Sequence, residues 1–148
     1  VWPERLRIDL AEHVPAASWN GSAILNVQGE VFPVTPWADL PDIHAPEGME
    51  LEVARHYDEY NRILVHSGLR IGALRVDARH AWRLELHGAD LPRALGVDLG
   101  RERMAERLQR FVAFYPLVAA HSGSVRRVDM RYPNGFAVEA APTAESKT

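Results

Sequence analysis

The sequence predicts an α+β domain, a curved antiparallel β-sheet with two amphipathic helices packed on it. Three observations carry this. Short segments of alternating apolar and polar residues recur along the chain, separated by Gly- and Asn-containing turns. Two longer segments place apolar residues at helical spacing. The order of strand cluster, helix, strand pair, helix and hairpin shows no βαβ alternation, so a doubly wound nucleotide-binding sheet is not expected.

The first strand is residues 5–10, where Leu6, Ile8 and Leu10 alternate with Arg5, Arg7 and Asp9. Val14-Pro15 interrupts it. Short strands follow at 16–19, 23–27 and 31–34, joined by Asn20-Gly21 and Gln28-Gly29-Glu30 turns, both with hairpin chemistry. Residues 32–48 hold Pro33, Pro36, Pro41 and Pro46 and read as a loop with at most a short strand around Ile43. A helix fits 47–66, where Val53, Tyr57, Tyr60 and Leu64 fall on one face and Ser67-Gly68 forms a C-cap. Strands are expected at 69–77 and 81–87, the latter alternating Trp82, Leu84 and Leu86 with Arg83, Glu85 and His87. A turn at 88–90 leads into 93–99. The second helix runs from about Gly100 to Ala119 with a stripe of Met104, Leu108, Phe111, Val112 and Tyr115, and Pro116 shortens or kinks it. Residues 124–140 form a closing hairpin turned by Pro133-Asn134-Gly135. Its last strand is expected at the edge of the sheet, where a strand is either blunted or used.

The 148 residues suffice for one domain with a sizeable core and are too few for two full-sized ones. A hydrophobic content of 47% with 25% charged residues is that of a globular chain. The net charge of −3 gives no electrostatic case for nucleic acid. Every basic residue except Lys147 is arginine, a bias that an Arg-rich coding background explains as well as any anion-binding role does. The absence of cysteine excludes disulfides, thiolate metal sites and cysteine nucleophiles. No run approaches the roughly 18 apolar residues of a membrane span. The chain opens on Val1-Trp2-Pro3 rather than Met, and is read as an excised or processed fragment, so that any targeting segment would lie upstream.

Seven histidines, at 13, 44, 56, 66, 80, 87 and 121, show neither His-x-x-x-His on a helix nor His-x-His on a strand. His56 and His66 share a helix but stand about 15 Å apart along its axis, beyond the reach of one zinc. Ser22, Ser67 and Ser122 each adjoin a glycine, which turn chemistry explains, and none sits in a nucleophile elbow. Gly96-Val97-Asp98-Leu99-Gly100 has neither phosphate-loop spacing. No catalytic, metal or cofactor constellation emerges. A small hydrolase assembled from scattered His, Ser and Asp stays open as an alternative, to be judged by whether a pocket gathers them.

Three stretches carry a resemblance. Trp2-Pro3-Glu4-Arg5-Leu6-Arg7-Ile8 through Glu12-His13-Val14-Pro15-Ala16, with Trp19-Asn20, is the first. Leu99-Gly100-Arg101 with Arg107-Leu108, Arg110-Phe111-Val112 and Tyr115-Pro116 is the second. The third is Val128-Asp129-Met130-Arg131-Tyr132-Pro133-Asn134-Gly135. In this order they resemble the bacterial cell-division family FtsQ/DivIB. The resemblance implies a single-pass inner-membrane protein acting in the periplasm at the division septum. Residues 1–14 would end a POTRA module, 15–140 would form the β domain, and 141–148 would be a polar tail. It implies a non-enzymatic divisome scaffold, without cofactor, that binds FtsB and FtsL by adding their strand to its last β-strand and helps regulate septal cell-wall synthesis. By motif, the contact residues are Arg79, Arg131, Tyr132, Asn134, Gly135, Phe136 and Val138, with Arg79 on a neighbouring strand. Where relatives often carry Trp soon after the final strand's valine, this chain has Ala140. A secretion or outer-membrane-assembly module linked to POTRA units is the alternative reading.

Overall fold

A computed structural model of the chain describes residues 14–36, 39–133 and 135–140. The expected strand at 5–10, and with it nearly all of the expected POTRA end, lies outside them. So do Asn134 and the 141–148 tail.

The described residues fold as nine strands and two helices: β1 Pro15–Trp19, β2 Ala23–Asn26, β3 Val31–Phe32, β4 Asp42–His44, α1 Glu50–Leu64, β5 Leu69–Val76, β6 Trp82–Gly88, β7 Leu95–Gly100, α2 Met104–Ala120, β8 Val125–Asp129 and β9 Ala137–Ala140. All strands join one open sheet in the order β3-β2-β1-β4-β5-β6-β7-β8-β9. The α+β class holds, but the sheet is mixed rather than antiparallel. β4 runs parallel to both β1 and β5, and β8 runs parallel to β7. Each helix is thereby the crossover of a βαβ unit, β4-α1-β5 and β7-α2-β8, which the sequence reading did not anticipate. β4 is only three residues long and buried in a proline-rich stretch, so its pairing depends on where α1 returns the chain.

The helices form where their apolar stripes meet the sheet. Val53, Tyr60 and Leu64 of α1 and Leu108, Phe111, Tyr115 and Val118 of α2 join Leu74, Leu84, Leu86, Val97, Leu99 and Val128 in one core. α1 ends in a 3-10 turn, Val65–Ser67, and Gly68 closes it at φ 78°, the left-handed C-cap that glycine adopts without strain. α2 begins at Met104, not at Gly100, because Gly100 at φ 75° still belongs to β7 and Arg103 at φ 53° is the helix's first flanking residue. It continues through Pro116 to Ala120, although proline deprives the Val112 carbonyl of its helical donor.

The opposite sheet face carries charge. Asp98 on β7, 5% exposed, accepts a hydrogen bond from Arg83 Nε of β6 at 2.6 Å and one from Arg127 Nε of β8 at 2.6 Å. Arg127 reaches on to Glu139 of β9 at 3.8 Å, and Arg126 pairs with the same carboxylate. A ladder of ion pairs thus stitches β6 through β9.

Candidate functional site: the β9 edge and its arginine groove

β9 is the outermost strand and pairs antiparallel with β8 through Asp129↔Ala137, Val128↔Val138 and Arg127↔Glu139. Which of its peptide groups face outward follows from the next pairing inward. The Met130 N–H donates to the Asp98 carbonyl of β7 at 2.9 Å. Peptide directions alternate along a strand, so the even-numbered groups of β8 face β7, while Arg127 and Asp129 face β9. Glu139 and Ala137 therefore bond inward. Val138 turns its N–H and C=O away from the sheet, where no strand stands among the described residues.

The two faces of β9 differ. Val138 opposes the buried Val128 and so lies on the helix side, 47% exposed. Just before it, Phe136 stacks on Phe114 of α2 with centroids 3.9 Å apart and remains 43% exposed. Glu139, on the other side, holds the arginines of β8.

The turn of this hairpin is not the tight Pro-Asn-Gly connection the sequence suggests. Pairing stops at Asp129↔Ala137, and the described residues between them, 130–133 and 135–136, form a connecting loop outside the ladder. Arg110 of α2 donates to its carbonyls at Met130, Tyr132, Pro133 and Gly135. Tyr132 stands out from this loop with its ring 52% exposed.

Arg79 and Arg131, far apart in sequence, line one groove of about 570 Å³ with Asp77, Ala81, Gly100, Arg101, Glu102 and Arg107. Arg79 occupies the turn between β5 and β6 rather than a strand. That turn is built by Asp77, whose Oδ1 accepts the N–H groups of Arg79 at 2.8 Å and Ala81 at 2.9 Å, with His80 at φ 65°. The Ala81 bond above all holds the Asp77 carboxyl below its usual range. Arg131 already uses its fork: Nε and Nη2 donate to Asp129 at 2.8 and 2.6 Å, which lowers the Asp129 pKa and raises that of Arg131. Gly100 has to be glycine here twice over. Its φ is positive, and a Cβ would stand 2.6 Å from Arg107 Nη1 and 3.1 Å from Arg131 Cγ.

The structure thus gathers Arg79, Arg131, Tyr132, Gly135, Phe136 and Val138 at one end of the sheet. Sequence reasoning missed Arg101, Arg107, Asp129 and Phe114, which share that region, and Arg110, which organises it. Arg101, Arg107, Arg110 and Asp129 stood in the stretches that carry the resemblance, and the Asp129-x-Arg131 spacing was a further visible signal, since two residues apart on the expected strand share a face.

A separate groove, between the end of α1 and α2, does bring His66, Ser67 and Asp90 together. They form no catalytic relay. The Ser67 hydroxyl donates to the Leu64 carbonyl at 2.6 Å and accepts the Leu69 N–H at 3.3 Å, closing the 3-10 turn, and no hydrogen bond links it to His66 or His66 to Asp90. Among the described residues no group of three or more His, Asp or Glu side chains is placed to hold a metal, and no helix is long and apolar enough to cross a membrane.

The fold and site define a mixed-sheet α+β domain with one open, arginine-flanked edge. The family model described as Cell division protein FtsQ/DivIB, C-terminal, matches residues 17–131. Proteins described as Cell division protein FtsQ are similar over nearly the whole chain. That of Shewanella oneidensis is 43% identical over 93% of this chain and 52% of its own length. Those of Burkholderia pseudomallei and Escherichia coli are each 33% identical over 95% of this chain, covering 58% and 52% of theirs. The chain belongs to the FtsQ/DivIB family of cell division proteins. It spans about half the length of the curated relatives it matches.

Proposed function

We propose that this chain is the extracytoplasmic β domain of a division scaffold that captures FtsB and FtsL by strand addition to the outer edge of β9. An upstream transmembrane helix would hold it at the inner membrane, with residues 1–14 closing a POTRA module and residues 15–140 facing the periplasm at the septum. It acts by assembly and not by catalysis, and through its partners it helps regulate septal cell-wall synthesis.

The single observation that supports this reading is the outward-facing peptide group of Val138 on a strand with no outer neighbour among the described residues. Strand addition needs such an edge and asks little of side chains. Energetics then demand flanking anchors. A partner strand along residues 136–140 makes about four backbone hydrogen bonds, each contributing about 1 kcal/mol net. A micromolar complex requires about 8 kcal/mol. Tyr132 and Phe136, rigid and half-exposed, supply apolar contact on one side, and Arg79 and Arg101 offer a carboxylate-binding surface on the other, beside Arg131, whose Nε and Nη2 are held by Asp129. With Ala140 in place of an aromatic, Phe136 carries more of the apolar share.

Amide exchange with and without an FtsB–FtsL extracytoplasmic fragment tests this. Protection on binding should concentrate at residues 136–140 and at the groove. Protection confined to the α1–α2 face, or binding that leaves β9 as exchangeable as before, would overturn the reading.

A further inference from the structure

The described residues between Met130 and Phe136 carry no regular structure, yet four of their carbonyls converge on one side chain of a helix 20 to 25 residues away. Arg110 donates from Nη1 to the Pro133 carbonyl at 2.8 Å. Its Nη2 donates to the Tyr132 carbonyl at 2.8 Å, and more weakly to Met130 at 3.3 Å and Gly135 at 3.4 Å. The Nε group is buried without a partner among the described residues. Arg110 makes no ion pair among the described residues, so the dipoles of this one loop solvate its charge. Bonds from an ionised donor are the stronger kind, and the planar fork fixes the direction of several at once.

We propose that Arg110 is a positioning residue for partner capture: it pins the β8–β9 loop to α2, so that Tyr132 and the start of β9 are already in place when the partner strand arrives. This rests on the edge-strand reading above. Without the pin, the loop would sample many arrangements and binding would have to freeze them, which lowers affinity without changing any contact. The rest of the hairpin does not depend on it. Val128 and Met130 are fully buried in the core, the β8–β9 ladder is intact, and Glu139 is held by Arg126 and Arg127. Removing the guanidinium therefore releases a segment and leaves the domain folded.

The test uses the full 148-residue chain with R110M and R110K, and V138P as a control for the edge. Native-state amide exchange is read without partner, and affinity is read for the FtsB–FtsL extracytoplasmic fragment well below the melting temperature. R110M is expected to exchange the loop amides about tenfold faster than wild type while core amides keep their protection. It should bind about tenfold more weakly. R110K, with the charge but not the fork, should fall between. Unchanged loop exchange in R110M, or faster exchange with unchanged affinity, overturns the proposal. If R110M does not fold, R110K decides it: wild-type exchange and affinity there sink it, since one ammonium cannot replace the fork on four carbonyls. Full binding by V138P would instead sink the edge reading, whereas lost binding by V138P beside wild-type R110M would sink the pin alone.

Discussion

If partners are captured as proposed, proline at position 138 should separate that capture from folding, because the Val138 N–H points away from the sheet. The substitution leaves every β8–β9 bond in place. Ala137 before it is already extended, as a residue preceding proline must be. Edge strands tolerate proline where the lost donor faces outward, so the melting temperature should fall by less than about 4 °C. On binding, the variant loses a hydrogen bond of about 1 kcal/mol and leaves a partner carbonyl unmet at a further 1–3 kcal/mol or so. The sum is about 2–4 kcal/mol, roughly 30- to 1,000-fold in Kd. Titration calorimetry against an FtsB–FtsL extracytoplasmic fragment reads this directly. Glu139→Pro is the internal contrast. Its N–H bonds inward to Arg127 and its carboxylate pairs with two arginines, so it should destabilise the hairpin itself. If V138P binds within about twofold of wild type, or if the two variants are alike in both stability and affinity, the assignment of peptide directions or the strand-addition model is wrong.

Gly100→Ala should cost about 1–2 kcal/mol in urea unfolding, because alanine is strained at φ 75° and its methyl meets Arg131; a neutral effect would show that the groove rearranges freely. Tyr60→Phe should leave stability unchanged or raise it by about 1 kcal/mol, since the hydroxyl is buried with no partner among the described residues. A clear loss of stability would mean the hydroxyl is paired after all. Asp129 titrates below its usual value because of Arg131, so its pair stabilises the fold above about pH 4 and is lost as pH falls through the lowered pKa. Asp129→Asn should therefore flatten part of the acid limb of a stability–pH profile by less than about 1 kcal/mol, Arg131 being largely exposed; an acid limb identical to wild type would refute that coupling.

The elements legible in the sequence were those whose pattern is local. Strands β5 and β6 and both helices were visible because Trp82, Leu84 and Leu86, or Val53, Tyr60 and Leu64, repeat at the period of their own element. The parallel pairings were not, because direction in a sheet depends on the path of a crossover and not on alternation. Pro133-Asn134-Gly135 looked like a tight turn by its residue types. Arg110, on another element, donates to the Met130, Tyr132, Pro133 and Gly135 carbonyls, and no spacing rule connects the two. The groove was half legible: the resemblance singled out Arg79 and Arg131, but their convergence depends on the Asp77 turn and on Gly100 leaving room.

Glu139 has one more consequence. Side chains alternate along a strand, so sliding β9 by a single residue against β8 would carry Glu139 onto the apolar side near Phe114 and strand Val138 among the arginines. It would also swap which residue aims its peptide group outward. The ties from Glu139 to Arg126 and Arg127 oppose that slip. They keep the edge in a single frame, so that every copy of the molecule presents the same outward donor and acceptor spacing.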